Sequence, residues 1–263
     1  MSNSKIKQLI KLATEGDSNA QFDLGMCFYL GDGVNKDPYR AAYWFKKASL
    51  ENIKALYYLG HCYKTGTGVE KNMQLAIECF THSADLGDAK SQYNIGEIYF
   101  VGDGIKVDYK RAFFYFKLAA DQGMVEAQYN TAVCYADGKG VTKDLLKAFY
   151  YYQETCKKKF KLGQYSLGRC YEFGLGTPQF DEMAFFWYQR SAMQDYPMAM
   201  YSLASCYERG FGVAKDINKA CYWYKKALKN GVKEASENLK NYKKGLFGKY
   251  KRITNSINKT IKL

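Results

Sequence analysis

Residues 55–80 read ALYYLGHCYKTGTGVEKNMQLAIECF, and the spacing inside this stretch decides the fold. Ala55, Leu59 and Tyr63 follow one another at four-residue steps, which at about 100° per residue places them on one face of a helix. Gly66 and Gly68 then interrupt the pattern, and Asn72 stands where a capping side chain opens a second helix four residues before Ala76. The stretch reads as helix, tight turn, helix. That is the unit from which helical arrays are stacked.

The same unit extends in both directions. Gly33, Gly68, Gly104, Gly140, Gly176 and Gly212 are separated by 35, 36, 36, 36 and 36 residues, and Gly31, Gly66, Gly102, Gly138, Gly174 and Gly210 run two residues ahead of them. A period of this length marks a stacked helix pair per unit. With Ala55 taken as position 0, position +4 is Leu24, Leu59, Ile95, Thr131, Leu167 and Leu203 in the six units. Position +5 is always small: Gly25, Gly60, Gly96, Ala132, Gly168 and Ala204. A glycine inside a helix costs about 1 kcal/mol against alanine, so its recurrence predicts close packing by a neighbouring helix.

The second helix repeats Ala41, Trp44, Phe45 and Ala48 in unit 1 and Ala220, Trp223, Tyr224 and Ala227 in unit 6, the i, i+3, i+4, i+7 spacing of a buried stripe. Asp37, Asn72, Asp108, Asp144 and Asp216 stand as its caps, and Pro38 suits the first helical position. Unit 5 has Phe180 at the capping place. Thr177-Pro178 offers the same chemistry three residues earlier, which predicts an early start there.

These residues resemble the Sel-one-like repeat (SLR) family, whose units read approximately A-x-Y-x-L-G-x-x-Y-x-x-G-x-G-V-x-K-D and then K-A-x-x-W-Y-x-K-A-A. The match covers residues 19–231. The resemblance implies an all-α fold, a right-handed superhelical α/α solenoid of helix-turn-helix repeats similar to tetratricopeptide repeats. It also implies a non-catalytic adaptor or scaffold that binds protein or peptide partners. Residues 1–18, with Ile6, Leu9, Ile10 and Ala13, read as an N-terminal capping helix ending at Gly16. Residues 232–263 read as a C-terminal capping helix and basic amphipathic tail.

If stacking buries positions 0, +4 and +8 of the first helices, positions +2, +6 and +9 point the opposite way. Position +2 is aromatic in every unit, while +6 and +9 vary. The candidate partner-binding residues on this expected concave face are Tyr57, His61, Lys64, Tyr93, Glu97, Phe100, Tyr129, Val133, Tyr165, Arg169, Glu172 and Tyr201. The tyrosines admit two readings. They supply rigid contact area for a ligand, or they pack between adjacent first helices.

Cys27, Cys62, Cys134, Cys170 and Cys206 share position +7, on the face expected to be buried. Equivalent positions of stacked helices lie about 10 Å apart, too far for a disulfide, so reduced thiols are expected. A secreted, cysteine-rich branch of the family pairs its cysteines at places these do not match. His61 and His82 are the only histidines and form no metal-ligand spacing with the cysteines. No nucleophile elbow, phosphate loop or catalytic Cys/His signature is present, so no enzymatic activity and no cofactor is expected. The chain has neither a signal-peptide core nor an apolar run of about 18 residues. A cytoplasmic location is therefore expected. Delivery into a host cell by a specialised secretion system is the alternative that the resemblance leaves open.

Net charge is +13, and Lys233 to Leu263 carry nine basic residues against Glu234 and Glu237. Ala235, Leu239, Tyr242, Leu246, Tyr250, Ile253, Ile257 and Ile261 keep three- or four-residue steps, predicting a long amphipathic helix bent near Gly245 and Gly248. Lys243, Lys244, Lys249, Lys251 and Arg252 on its other faces, with Lys259 and Lys262 beyond them, make it a terminal cap or a contact for an anionic membrane. Nucleic acid is the weaker alternative, because a basic tail alone gives only salt-sensitive attraction.

Overall fold

A computed structural model describes residues 2–244 and 249–253 of the chain. The fold is all-α, and the helix pairs follow the sequence period. The first helices of the six repeats are α2 (Ser18–Leu30), α4 (Ile53–Thr65), α6 (Ala89–Val101), α8 (Val125–Asp137), α10 (Lys161–Phe173) and α12 (Pro197–Arg209). The second helices are α3 (Pro38–Ala48), α5 (Met73–Asp85), α7 (Tyr109–Asp121), α9 (Leu145–Lys157), α11 (Asp181–Ala192) and α13 (Ile217–Lys229). Helix α1 (Asn3–Thr14) precedes them, and α14 (Glu234–Lys240) follows with strands β1 (Tyr242–Lys244) and β2 (Tyr250–Arg252). The chain divides into two compact units after Lys143, α1 to α8 in one and α9 to α14 in the other. Within each, every helix packs on the next.

Local chemistry sets the helix ends. Asp37, Asn72, Asp108, Asp144 and Asp216 each accept a backbone N–H from the first turn of their second helix, as their spacing predicts. The loop leading there is fixed by one more bond. In unit 1 the Asp37 N–H donates to the Phe28 carbonyl, and Asn72 to Tyr63, Asp108 to Tyr99 and Asp216 to Tyr207 repeat it. Unit 5 departs from expectation: α11 starts in step with the others, at Asp181, and not early. The Phe180 N–H still reaches the Tyr171 carbonyl at 3.0 Å, so main-chain geometry holds the start without a capping side chain. Asp181 and Glu182 in the first turn favour the helix dipole there.

Two recurring glycines have separate steric causes. Inside the first helices, a Cβ on Gly25, Gly96 or Gly168 would come within 2.7–2.8 Å of the ring of Phe45, Phe116 or Tyr188, so the second helix lays an aromatic ring directly on the backbone. At the turns, a Cβ on Gly140 would lie 1.9 Å from the Tyr109 carbonyl oxygen, and one on Gly212 2.1 Å from that of Asp181. The turns at Gly68, Gly140, Gly176 and Gly212 thus meet, backbone to backbone, the start of the preceding second helix, whereas the one at Gly104 meets the Met73 side chain.

Buried Gln21, Gln92 and Gln164, which the hydrophobic pattern does not reveal, tie their helices to neighbouring ones. Gln21 Nε2 donates to the Ala13 carbonyl and Gln92 Nε2 to that of Ala84, both at 3.1 Å. Gln122 Nε2 in turn donates to Gln92 Oε1 at 2.8 Å, and in the second unit Gln194 Nε2 donates to Gln164 Oε1 at 2.7 Å. The Ala13 and Ala84 carbonyls, which also accept the Gly16 and Gly87 N–H groups, thereby gain a second donor at the ends of α1 and α5.

At the N-terminal end, Ile6 and Ala13 are buried under α2, but Ile10 is 40% exposed, so the apolar stripe is narrower than the sequence suggests. At the other end α14 packs on α13 with Ala235 buried, and the helix stops at Lys240. The described residues 241–244 and 249–253 do not form the long amphipathic helix expected here. Residues 242–244 pair antiparallel with 250–252, placing Tyr242 opposite Arg252 and Lys243 opposite Lys251. Side-chain anchors explain the departure. The Tyr242 hydroxyl donates to Glu208 Oε1 at 2.6 Å, and the Tyr250 N–H donates to Asn218 Oδ1 at 2.8 Å. Leu246, Ile257, Lys259, Ile261 and Lys262 lie outside the described residues.

Candidate partner-binding face

The aromatic at position +2 packs on the aromatic of the second helix in its own repeat. Centroid distances are 6.0 Å for Phe22–Phe45 and Tyr57–Phe80, 5.9 Å for Tyr93–Phe116, 5.7 Å for Tyr165–Tyr188 and 5.4 Å for Tyr201–Tyr224. All are half-buried. Each ring therefore closes the helix pair from one side and offers its other side outward, a part of both readings of the sequence. Tyr93 donates to Glu97 Oε1 at 2.7 Å, Tyr201 donates to Asn238 Oδ1 at 3.1 Å, and the Lys90 ammonium lies 5.7 Å from the Tyr57 ring centre. Burial, with the Glu97 carboxylate beside it, pushes the Tyr93 phenol well above its ordinary range.

In the first unit Lys64 of α4 and Glu97 of α6 are brought together across a cleft of about 170 Å³, with Ile98, Val101 and Asp103. His61 is half-buried, and burial followed by the nearby Lys64 charge lowers its pKa, so it presents a neutral imidazole at pH 7. Phe100 packs on Tyr109 and Phe116 and lies under the Lys139 ammonium at 5.0 Å. Tyr129 and Val133 are half-buried on α8 and line neither this cleft nor the next.

In the second unit Tyr165, Arg169, Glu172 and Tyr201 converge on a cleft of about 290 Å³ between α10 and α12. Tyr188 of α11 lines it as well, and Phe173, Ser202, Ser205, Cys206, Arg209 and Phe211 complete the walls. Arg209 escaped the sequence reading, although it lies one helical turn beyond Ser205 at position +6 and so on the same face. Glu172 has a second task, because the Tyr188 hydroxyl donates to its Oε2. Glu208 repeats this with Tyr224 at 2.5 Å. Position +9 is thus coupled to the second helix: Phe45 and Phe116 pack on Tyr29 and Phe100 in repeats 1 and 3, whereas the Tyr188 and Tyr224 hydroxyls donate to Glu172 and Glu208.

The basic residues nominated at the C-terminal end do not share a helix face. Lys243, Lys251 and Arg252 are exposed on the hairpin, Lys244 belongs to β1, and Lys249 is exposed just before β2. The amphipathic helix on which a membrane contact was expected is absent from the described residues 241–244 and 249–253. No helix among the described residues is long and apolar enough to cross a membrane.

The cysteines form no second site. The five at position +7 are buried and all eight are free thiols. Among the described residues no group of His, Cys, Asp and Glu has metal-binding geometry. Burial pushes Cys62 and Cys79 up to about 11 and Cys134, Cys156, Cys170 and Cys206 up to about 12. Unfolded thiols ionise near ~8.5 and folded ones do not, so this contribution to stability is complete below that pH and is lost as pH rises towards 11–12. Labelling of the native protein with a disulfide-exchange reagent at pH 8 is expected to be at least about 100-fold slower than in urea, because only thiolates react. Rapid native labelling of these six would contradict the burial described.

The repeats also match a known family unit by unit. The Sel1 repeat is matched over 18–52, 53–88, 89–124, 125–160, 161–196 and 197–232. The chain belongs to the Sel1 repeat family. Two solved Sel1-type structures are similar to it at 30% identity. One is a protective antigen present in uropathogenic Escherichia coli strains displaying an SLR fold, with a TM-score of 0.84 over 89% of this chain and 50% of the antigen. The chain thus spans half the length of that protein. The other is a Sel1 repeat protein from Oxalobacter formigenes, with a TM-score of 0.72 over 86% of this chain and 99% of its own. No curated protein matches the chain significantly. Sel1 repeats generally serve as protein-interaction scaffolds and typically carry no catalytic site.

Proposed function

We propose that this Sel1 repeat chain is a non-catalytic adaptor that holds partner segments against the first-helix face of its repeats. The observation that carries the reading is the cleft between α10 and α12, where Tyr165, Arg169, Glu172 and Tyr201 converge from positions +2, +6 and +9. The Lys64–Glu97 cleft in the first unit uses the same positions. Half-buried aromatic rings beside variable charged groups combine low-entropy contact area with a means of selection.

Affinity capture from the native cell tests this. The combined variant His61→Ala, Glu97→Ala and Arg169→Ala is expected to reduce recovery of the principal partner about tenfold or more, as loss of contact residues does at interfaces. Alanine at Tyr43 and Tyr222, rings 54% and 53% exposed on second helices, is expected to leave recovery unchanged. The reverse result would place the partner on the other face.

A further inference from the structure

The cleft between α10 and α12 has an excess of positive charge that its lining does not neutralise. The Arg169 guanidinium lies 5.7 Å from the Phe173 ring centre, and Arg209 stands at the last turn of α12. Both are exposed, and among the described residues neither forms an ion pair. Glu172 is the only carboxylate in the lining, and it accepts the Tyr188 hydroxyl. Ser202 and Ser205 add hydroxyl groups, and Phe173 and Phe211 add ring surface beside the charges. The counterpart in the first unit has the opposite balance, with Glu97 and Asp103 against Lys64. The arginine pair is therefore particular to this cleft and is not a by-product of the repeat.

At about 290 Å³ the cleft admits one or two residues of an extended segment. It is too small for a helix of about 10 Å diameter. Guanidinium groups recognise carboxylates by charge-assisted, directed hydrogen bonds, and the adjoining rings favour an apolar neighbour. The fixed negative charge of Glu172 opposes a second charge on the ligand, which favours a carboxylate over a phosphate dianion. Resting on the adaptor reading, we propose that this cleft takes an aspartate or glutamate side chain of the partner segment. In this arrangement Arg169 and Arg209 pair with the carboxylate, Ser202 and Ser205 hydrogen-bond to it, and an adjacent apolar residue lies on Phe173 and Phe211.

Selection from a random displayed-peptide library against the full chain tests the proposal. Selected peptides are expected to share an acidic residue next to an apolar one. Changing that residue to its amide, or making Arg169→Gln or Arg209→Gln, should each weaken binding about tenfold, and peptide and protein changes combined should lose less than their product. Equal binding of acid and amide peptides, or full binding to both arginine variants, overturns the acidic-side-chain proposal. The adaptor reading then survives if His61→Ala, Glu97→Ala or Tyr165→Ala weakens the same peptides, and fails if none does. A phosphoserine peptide binding more than tenfold tighter than its glutamate counterpart overturns the choice of carboxylate. Recovery of no peptide counts against the adaptor reading, and the proposal falls with it.

Discussion

Gly140→Ala is expected to destabilise the first unit by about 2–5 kcal/mol, beyond an ordinary glycine substitution. Two costs combine. Gly140 has φ of +73°, where an alanine pays about 1–2 kcal/mol. The new Cβ would also sit 1.9 Å from the Tyr109 carbonyl oxygen and 2.3 Å from its carbon, atoms of a helix start that cannot turn aside as a side chain can. The turn must therefore part from α7, and overpacking of this kind costs about 1–3 kcal/mol more. Gly123→Ala isolates the first cost, since Gly123 has φ of +83° and nothing within 4 Å of the added Cβ. Denaturant unfolding of the two variants separates the terms. Equal losses would show that the backbone contact between repeats contributes nothing.

The second large effect is expected at Glu208. Its carboxylate accepts the Tyr224 hydroxyl at 2.5 Å and the Tyr242 hydroxyl at 2.6 Å, and Asn238 Nδ2 donates to the Tyr224 oxygen at 3.1 Å. Tyr224 is fully buried. Glu208→Leu removes two charge-assisted acceptors, leaves the phenols without them, and should cost about 3 kcal/mol. Repeat 3 shows the apolar alternative, with Phe116 in the second helix and Phe100 at position +9. Adding Tyr224→Phe to Glu208→Leu should consequently recover about 1 kcal/mol, since of the two phenols only Tyr242 then lacks its acceptor. A double variant that loses the full sum of the two singles would show the phenol and carboxylate to be uncoupled.

Much of the fold was legible because it rests on rules that act within one repeat. The glycine period, the Asp and Asn caps and the buried cysteines at position +7 all follow from helix geometry. The long C-terminal helix was misread because Tyr242, Tyr250 and Ile253 keep helical spacing while the segment is held by Glu208 and Asn218, more than 30 residues away. The early start expected for α11 failed for a similar reason. The Phe180 N–H reaches the Tyr171 carbonyl, and no side-chain pattern records that bond. At the candidate site, the positions that face outward were readable from angle alone. Their convergence was not: Arg209 and Phe211 meet Arg169 and Glu172 only when α10 and α12 lie side by side.

The pairing of position +9 with the second helix also bears on how such a surface changes over time. In repeats 2 and 3, Phe80 and Phe116 carry no hydroxyl, so Lys64 and Phe100 can be exchanged without orphaning a buried phenol. In repeats 5 and 6, replacing Glu172 or Glu208 strands the hydroxyl of Tyr188 or Tyr224 unless that tyrosine changes as well. Specificity in the first unit can drift by single substitutions. In the second it must pass through a less stable intermediate or change two residues together, which makes its cleft the slower of the two to acquire a new ligand.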